Sequence, residues 1–336
     1  MSARTAIGLE VLPSTSIYPA FARLRRHLQE RIIGQEKLVE GLLIALLADG
    51  HLLVEGAPGL AKTTAIKELA AALQGDFRRI QFTPDLLPGD LTGSDVYRPE
   101  EGGFHFQPGP LFHNLILADE INRAPAKVQS ALLEAMGEQQ ITVGRHSYPL
   151  PSPFMVMATQ NPIEHDGTYP LPEAQLDRFL LHVRIGYPDA AAERAILRLV
   201  RQRAEQAFDG PVAAPPTLGR EQILAARREA LGVHMAEAVE EYLVQLVLAT
   251  RDPGRYSQSL ARTVSFGASP RGTIALDRCA RARAWLQGRD YVSPEDVQAV
   301  VHDVLRHRVL VSFEAEADNI GADDVIRELV QRVPVG

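Results

Sequence analysis

Two hydrophobic patterns alternate along the first 208 residues of the chain. Short, mainly apolar runs are typical of strands buried in a parallel sheet, and longer segments with apolar residues at helical spacing separate them. This alternation predicts a doubly wound parallel α/β sheet that binds its ligand at the carboxyl ends of the strands. The predicted strands cover residues 52–54, 79–82, 114–120, 154–159 and 181–185, and the predicted helices cover residues 21–31, 37–48, 64–73, 125–137 and 189–208.

Beyond residue 208 the pattern changes, and the rest of the chain is predicted to be helical. Residues 235–251 have a helix-length apolar pattern. Ser269-Pro270 and Ser293-Pro294 each predict a helix start, because serine caps a helix and proline fits its first position. The expected organisation is a lead-in at 1–20, an α/β core at 21–208, a linker at 209–218 and a smaller all-α domain at 219–336.

Two segments interrupt the pattern of the core. Residues 84–110 are rich in glycine, proline and aromatic residues, and a long irregular segment inside a compact domain is usually functional. Residues 140–143 and 147–150 are separated by Gly144, Arg145 and His146, which predicts a β-hairpin.

The loop after the first strand has the composition of a phosphate-binding loop. Gly56 and Gly59 allow backbone N–H groups to approach phosphate oxygens, Lys62 can reach the β- and γ-phosphates, and Thr63 can offer its hydroxyl to Mg²⁺. The positive N-terminus of the following helix would face the same anion. The common pattern, G-x-x-x-x-G-K-[ST], has glycine where this chain has Ala61, which weakens the motif. A chance strand–turn–helix junction is the alternative.

Two carboxylates close the predicted strand at 114–120. Asp119 can hold Mg²⁺ directly or through water, and Glu120 can orient and deprotonate an attacking water. A pair of solvated acids at a strand end is the alternative. Asn161, at the end of the next strand, could position the same water through its amide, or could begin an ordinary turn with Pro162.

Two arginines are further candidates for phosphate contacts. Arg178 lies in a short polar gap before an apolar strand, and an arginine near a γ-phosphate stabilises transition-state charge. An exposed pair with Asp177 is the alternative. Arg271 follows Ser269-Pro270 at a predicted helix N-terminus, and the alternative there is a solvated helix residue.

Composition and charge exclude several classes of protein and binding partner. A chain of 336 residues with 46% hydrophobic and 23% charged residues is globular, and its formal net charge of −7 argues against nucleic acid or anionic membrane as partner. The longest apolar stretch, 42–47, is far shorter than the ~20 residues that span a bilayer. The single cysteine, Cys279, excludes an internal disulfide, is expected to pack in the core and agrees with a reducing, cytoplasmic environment.

Three local clusters of charged residues are predicted to have no ligand-binding role. Glu164-His165-Asp166 is not assigned to a metal, because three consecutive side chains do not point at one ion in a regular element. The arginines at 278–283 and 306–308 are predicted to form solvated faces or salt bridges between subunits rather than a polyanion surface.

The order of these motifs along the chain resembles that in the AAA+ ATPases. The amino-acid sequences of the motifs resemble those of the MoxR group. That group commonly carries an alanine at the position of Ala61, which agrees with the resemblance. The similarity extends over nearly the whole chain from Ile32 onward. The matching segments are 56–63 (GAPGLAKT), 117–125 (LADEINRAP), 158–162 (ATQNP), 169–179 (YPLPEAQLDRF) and 267–271 (GASPR).

The resemblance implies a role for each matched residue. Lys62 and Thr63 would be Walker A residues, Asp119 and Glu120 Walker B, Asn161 sensor 1, Arg271 sensor 2, and Arg178 an arginine finger acting on the neighbouring subunit. The implied catalytic set is Lys62, Glu120, Asn161 and Arg178, with Mg²⁺ held by Thr63 and Asp119. The implied ATP-binding set is Ile33, Gly34, Gly56, Ala57, Pro58, Gly59, Leu60, Ala61, Lys62, Thr63, Thr64, Asp119 and Arg271.

The resemblance also implies how such a protein works. Residues 84–110 would be the helix-2 insert and residues 140–150 the hairpin before sensor 1, both facing the pore of a hexameric ring. ATP hydrolysis would move a helical lid against the core and so remodel a client, in a chaperone-like or metal-cofactor-maturation role. The partner would carry a von Willebrand factor A (VWA) domain. The alternatives are a nucleotide-gated assembly scaffold that hardly hydrolyses ATP, and a nucleic-acid motor of the same superfamily, which the acidic charge disfavours.

Overall fold

The computed structural model describes residues 16–162, 168–209 and 216–335. Within these ranges the strands are β1 (Leu52–Glu55), β2 (Phe77–Gln81), β3 (Gly93–Arg98), β4 (Gly103–Pro108), β5 (Leu115–Asp119), β6 (Gln140–Val143), β7 (His146–Pro149), β8 (Met155–Gln160), β9 (Leu181–Arg184), β10 (Val264–Phe266) and β11 (Leu310–Val311). The helices are α1 (Tyr18–Arg31), α2 (Glu36–Leu47), α3 (Lys62–Ala72), α4 (Pro88–Thr92), α5 (Ala126–Glu138), α6 (Glu173–Leu176), α7 (Ala190–Asp209), α8 (Arg220–Leu231), α9 (Glu237–Arg251), α10 (Gln258–Thr263), α11 (Pro270–Leu286), α12 (Pro294–Leu305), α13 (Phe313–Ala317) and α14 (Ala322–Arg332).

The five predicted core strands form one parallel sheet in the order β2-β5-β8-β1-β9. Successive residues of β1 are buried on opposite faces: Leu52 and Val54 belong to one hydrophobic cluster and Leu53 to the other. Burial on both faces explains why the sequence of a central parallel strand is a continuous apolar run. The prediction of a doubly wound parallel sheet is confirmed, and the carboxyl ends of β5, β8 and β1 lie side by side.

Helix α1 begins at Tyr18, three residues before the predicted start, so the end of the predicted lead-in is helical. Pro19 is compatible with this because it occupies the first turn, where its missing N–H breaks no helical hydrogen bond. The ring of Trp285 packs edge-on against Tyr18 and Phe21, at centroid distances of 5.6 and 5.2 Å. These contacts attach α1 to α11. Residues 1–15 of the predicted lead-in lie outside the described residues.

The two segments that interrupt the core contain antiparallel hairpins. The predicted hairpin at 140–150 is confirmed as β6 and β7, with Gly144 in the turn at φ +61°. Residues 84–110 contain α4 and a second hairpin, β3 and β4, which the sequence pattern did not indicate because most of its residues are exposed on both faces. Phe106 and Tyr148 stack with ring centroids 4.0 Å apart and join the two hairpins.

The C-terminal domain is helical, with one exception to the prediction. β10 and β11 pair antiparallel, so the expectation of helix throughout is wrong for these five residues. Such short pairs carry too few residues to show strand periodicity. Cys279 is fully buried in α11, as predicted for a packing residue, and burial raises the pKa of its thiol. Residues 210–215 of the predicted linker lie outside the described residues.

The arginines at 278–283 and 306–308 contradict the prediction of solvated or inter-subunit positions. Arg278 is exposed as expected, but the side chain of Arg308 is only 3% exposed. Four of these arginines pair with aspartates of the same chain. Arg281 pairs with Asp277, one turn earlier on the same helix, at 2.7 Å, and the other three pair with aspartates farther away in the sequence. The pairs are Arg283–Asp296 at 2.6 Å, Arg306–Asp323 at 3.1 Å and Arg308–Asp177 at 2.8 Å.

None of the helices in the described part of the chain combines the length and apolar character that crossing a membrane requires.

Candidate functional site

The loop between β1 and α3 has the backbone geometry of a phosphate-binding loop. A Cβ on Gly56 would lie 2.5 Å from the side chain of Ile185 and 2.8 Å from its carbonyl oxygen, so only glycine fits there. Gly59 has φ +84° with open space around its Cα. Ala61 has φ +58°, the left-handed conformation that glycine adopts most easily. The departure of Ala61 from the common motif therefore leaves the backbone path of the loop intact.

Lys62 is the first residue of α3, and its ammonium group lies inside this loop. Its Nζ donates to the carbonyl oxygens of Gly56 at 2.6 Å and Ala57 at 3.3 Å. Burial lowers the pKa of Lys62, while the negative charges of Asp119 and Glu120 act in the opposite direction. The lysine is thus held between loop carbonyls and the two carboxylates, where an incoming phosphate would be its strongest partner.

Asp119 and Glu120 share one hydroxyl, that of Thr159 on the neighbouring strand β8. Thr159 donates to Asp119 Oδ1 at 2.7 Å and accepts the N–H of Glu120 at 2.9 Å. Arg79 donates to Asp119 Oδ2 at 2.6 Å, and Gln81 donates to Glu120 Oε2 at 2.7 Å. Glu120 has φ +58°, a conformation that non-glycine residues adopt at a cost of about 1–3 kcal/mol and that clusters at functional sites.

Thr159, Arg79 and Gln81 are functional candidates that the sequence did not single out. Arg79 and Gln81 are two residues apart on β2 and therefore point to the same face of the sheet. Gln81 pairs in register with Asp119. The available signal was the pair of polar residues at alternate positions in a strand, but its meaning depends on β2 lying beside β5.

One cavity of about 360 Å³ brings most of the predicted site residues together. Asn161, which is buried, lies in its wall beside the two carboxylates. Thr63 and Asp119 both reach this cavity and present hydroxyl and carboxylate oxygens, the ligand atoms that Mg²⁺ prefers. The predicted site residues around this cavity are Pro58, Gly59, Leu60, Ala61, Lys62, Thr63, Thr64, Asp119, Glu120 and Asn161.

A second cavity of about 330 Å³ shares Pro58 to Ala61 and Thr64 with the first and is more apolar. Ile33 and Leu60 face three aliphatic residues of α7 across it, which are Ile196, Leu199 and Val200. Gly34 has φ +75°, and a Cβ there would lie 2.9 Å from Ala192, so α7 approaches this turn as closely as glycine permits. Ile33 therefore lies beside the phosphate loop, next to a space of suitable polarity for a nucleoside base.

Arg178 and Arg271 are not brought to the phosphate loop of their own chain. Both line a separate cavity of about 350 Å³ at the junction of the core with the helical domain. Arg178 Nη1 donates to the carbonyl of Leu133 at 2.9 Å, and Arg271 Nη1 lies 3.6 Å from Asp177 Oδ2. The alternative in which Arg178 pairs with Asp177 is not observed. Residues 164–166, which were assigned no metal, lie outside the described residues.

Comparisons with known proteins identify the family and the fold of the chain. Residues 51–181 match the model of the ATPase family associated with various cellular activities (AAA), and residues 258–329 match that of the AAA lid domain. The chain is 46% identical to chaperone MoxR1 of Mycobacterium tuberculosis, over 90% of this chain and 78% of the relative. It is 34% identical to protein MoxR of Methylorubrum extorquens, over 94% and 95% of the two chains.

A crystal structure from Cytophaga hutchinsonii superimposes with a TM-score of 0.86 at 42% identity, and the match covers 95% of this chain and 96% of that one. The parallel sheet and the helical lid that follows thus agree with both the family models and the solved structure. The chain belongs to the MoxR family of AAA+ ATPases.

Proposed function

We propose that the protein hydrolyses ATP to ADP and phosphate in the cavity at the carboxyl ends of β1, β5 and β8. The observation that carries this proposal is that Lys62, Thr63, Asp119, Glu120 and Asn161 line one cavity, although three separate segments of the chain supply them. The nucleoside base would occupy the apolar space beside Ile33. A phosphate loop, a lysine and two carboxylates in one cavity are the combination of groups that nucleotide hydrolysis requires.

Glu120 is the candidate general base. Its carboxylate accepts a hydrogen bond from Gln81, and its backbone N–H is fixed by Thr159, so its direction is set before substrate arrives. Asn161 would orient the attacking water through its amide. Lys62 would exchange its carbonyl contacts for phosphate oxygens and neutralise charge that develops on them.

Thr63 and Asp119 fit a magnesium site, since both present hard oxygen ligands to the cavity. Mg²⁺ bound there would neutralise charge on the β- and γ-phosphates. Thr159 and Arg79 would fix the orientation of Asp119 for that role, since they donate hydrogen bonds to its Oδ1 at 2.7 Å and its Oδ2 at 2.6 Å.

The site would be completed between protomers of a hexameric ring. Arg178 and Arg271 share a cavity away from their own phosphate loop, which supports both acting on the nucleotide of a neighbour. The two carboxylates that line the phosphate cavity are each paired within the chain, Asp119 with Arg79 at 2.6 Å and Glu120 with Arg123 at 3.2 Å. An arginine supplied in trans would add a positive charge that stabilises the charge developing on the phosphates in the transition state.

The biological role we propose is chaperone-like remodelling or maturation of a client, for example insertion of a metal cofactor or assembly of a complex, together with a VWA-domain partner. A relative that is 46% identical is named a chaperone. The hairpin of β3 and β4 exposes the aromatic residues Tyr97 and Phe104, which suits contact with a protein client. The single buried cysteine supports a cytoplasmic location.

The test is ATP turnover as a function of protein concentration, with the assembly state followed by light scattering in the same buffer. Specific activity should rise as the protein assembles. Glu120→Gln and Arg178→Ala should each lose at least about 10³-fold in turnover while still binding ATP, because each removes a group that acts in the transition state.

Two exposed residues outside the cavities provide matched controls. Glu138→Gln on α5 and Arg327→Ala on α14 remove the same charges and should retain wild-type turnover. Equal turnover of wild type and Glu120→Gln would refute the mechanism. A wild type that binds ATP and assembles without turnover would indicate the nucleotide-gated scaffold, and stimulation by DNA or RNA would indicate the nucleic-acid motor.

A further inference from the structure

Asp177 connects the segment that carries Arg178 to two helices of the lid. One carboxylate oxygen accepts from Arg308 Nε at 2.8 Å, and the other accepts from Ser269 Oγ at 3.0 Å. Arg271 Nη1 lies 3.6 Å from the second oxygen. Asp177 directly precedes Arg178 and ends the short helix α6. A single carboxylate therefore contacts groups on α11 and after α12 while standing next to the candidate arginine finger.

Arg308 reinforces this connection because it donates hydrogen bonds to the backbone on both sides of Arg178. Its guanidinium donates to the carbonyl oxygens of Asp177 at 3.3 Å and Phe179 at 2.7 Å. It is nearly fully buried, and burial lowers its pKa while Asp177 opposes this effect. A buried guanidinium is tolerated only with a charged partner and satisfied donors, which Asp177 and these carbonyls supply.

Ser269 carries the connection to Arg271. It is the N-cap of α11, where its Oγ accepts the backbone N–H of Arg271 at 3.2 Å and donates to Asp177. The negative charge of Asp177 thus lies at the positive end of a 17-residue helix, a favourable electrostatic position. The start of α11, and with it the side chain of Arg271, is fixed relative to the segment of Arg178.

We propose that Asp177 is a positioning residue that holds Arg178 and Arg271 on one rigid face, so that both reach the nucleotide of the neighbouring protomer together. This inference rests on the proposed function, since it concerns the residues that complete the shared site. Asp177 itself touches no substrate in this arrangement. Its carboxylate acts through the two arginines, both of which line the same cavity of about 350 Å³.

The proposal predicts a defect in turnover without a defect in nucleotide binding. Asp177→Asn should lower turnover about 10²-fold, because a displacement of a catalytic group by about 1 Å has effects of that size. ATP affinity should stay within twofold, since the phosphate loop is not involved. In a background lacking both Arg178 and Arg271 side chains, Asp177→Asn should cause no further loss of turnover.

A second variant covers the case in which Asp177→Asn leaves Arg308 unpaired and unfolds the protein. Ser269→Ala keeps the Asp177–Arg308 pair and removes the hydrogen bond from Ser269 to Asp177 together with the side-chain cap of α11, and we expect turnover to fall about tenfold. Ser312→Ala is its matched control. Ser312 caps α13 in the same manner, accepting from Ala315 N–H and donating to the carbonyl of Arg262, but it lines none of the three cavities described above. Turnover of Ser312→Ala should equal that of wild type.

Co-assembly of two variants with impaired turnover separates a positioning role in trans from damage within one subunit. Rings are assembled from equal amounts of Glu120→Gln and Asp177→Asn chains, or of Glu120→Gln and Ser269→Ala chains where Asp177→Asn does not fold. Random pairing places an intact Glu120 beside an intact Asp177 at about a quarter of the junctions, so about a quarter of wild-type activity should return. Rings of Glu120→Gln and Arg178→Ala chains serve as the reference.

The reference mixture distinguishes failure of the site shared between protomers from failure of the positioning role of Asp177. Recovery in the reference and in the Asp177 mixture supports the positioning role. Recovery in the reference alone, or wild-type turnover of Ser269→Ala, overturns the inference and leaves the proposed function standing. Absence of recovery in the reference overturns the shared site and the positioning role together.

Discussion

The hydroxyl of Thr159 is the most informative single group to remove from the site. It donates to Asp119 and accepts the N–H of Glu120, and it is almost fully buried. Thr159→Val keeps the shape of the side chain and removes only this hydroxyl. Both carboxylate residues then lose their shared partner, although neither is itself changed.

The expected cost follows from the two hydrogen bonds. A bond to an ionised carboxylate contributes about 1.5–3 kcal/mol, and leaving the N–H of Glu120 without its acceptor costs about 1–3 kcal/mol. Better burial of the added methyl group offsets about 1 kcal/mol. We therefore expect a net destabilisation of about 2–4 kcal/mol. Turnover should fall about 10²-fold, because Glu120 is held in a strained backbone conformation that this bond helps to fix.

Urea unfolding gives the free energy of unfolding, and a coupled phosphate-release assay gives turnover under conditions where each variant is folded. Thr159→Ser retains the hydroxyl and is the control for the loss of a methyl group; it should keep most of the turnover and lose about 1 kcal/mol. Thr159→Val with the turnover of Thr159→Ser would refute the assignment of the hydroxyl to the site.

Two further predictions concern stability. His51 is buried, donating to the Met136 carbonyl and accepting from Val156 N–H, and burial lowers its pKa to about 4. Because the folded-state pKa lies below the unfolded value of about 6.5, its stabilisation is present above pH 6.5 and is lost as the pH falls towards 4, by about 2 kcal/mol between pH 7 and pH 5. Urea midpoints across this range should show a shallower slope for His51→Gln, and an unchanged slope would contradict the assignment. Ala61→Gly should raise the free energy of unfolding by about 1 kcal/mol, since glycine adopts the left-handed conformation of this position without strain; a lower urea midpoint would contradict it.

Much of the part of the site that one chain supplies to its own nucleotide was predictable, because its residues lie in short contiguous motifs. The phosphate loop and the carboxylates at Asp119 and Glu120 each follow an apolar strand. Asn161 follows the third. Once those strands are parallel, their carboxyl ends meet at one edge of the sheet, so the position of each motif in the sequence determines its position in space. The order and type of the core elements followed from the same hydrophobic runs.

The contacts that prepare the site could not be predicted in this way. Arg79 reaches Asp119 only because β2 lies beside β5, and Thr159 reaches both carboxylates only because β8 lies on the other side. The burial of Arg308 against Asp177 likewise depends on how the lid docks on the core.

The sequence by itself therefore determined which residues follow each strand, and hence the chemistry available at the carboxyl edge of the sheet. Only the tertiary structure decided which side chains fix those residues, and that Arg178 and Arg271 share a cavity separate from their own phosphate loop. The physical reason is that the spacing of apolar residues indicates which residues are buried. A hydrogen bond or ion pair between distant residues depends instead on strand order and on domain docking, which no local sequence pattern indicates.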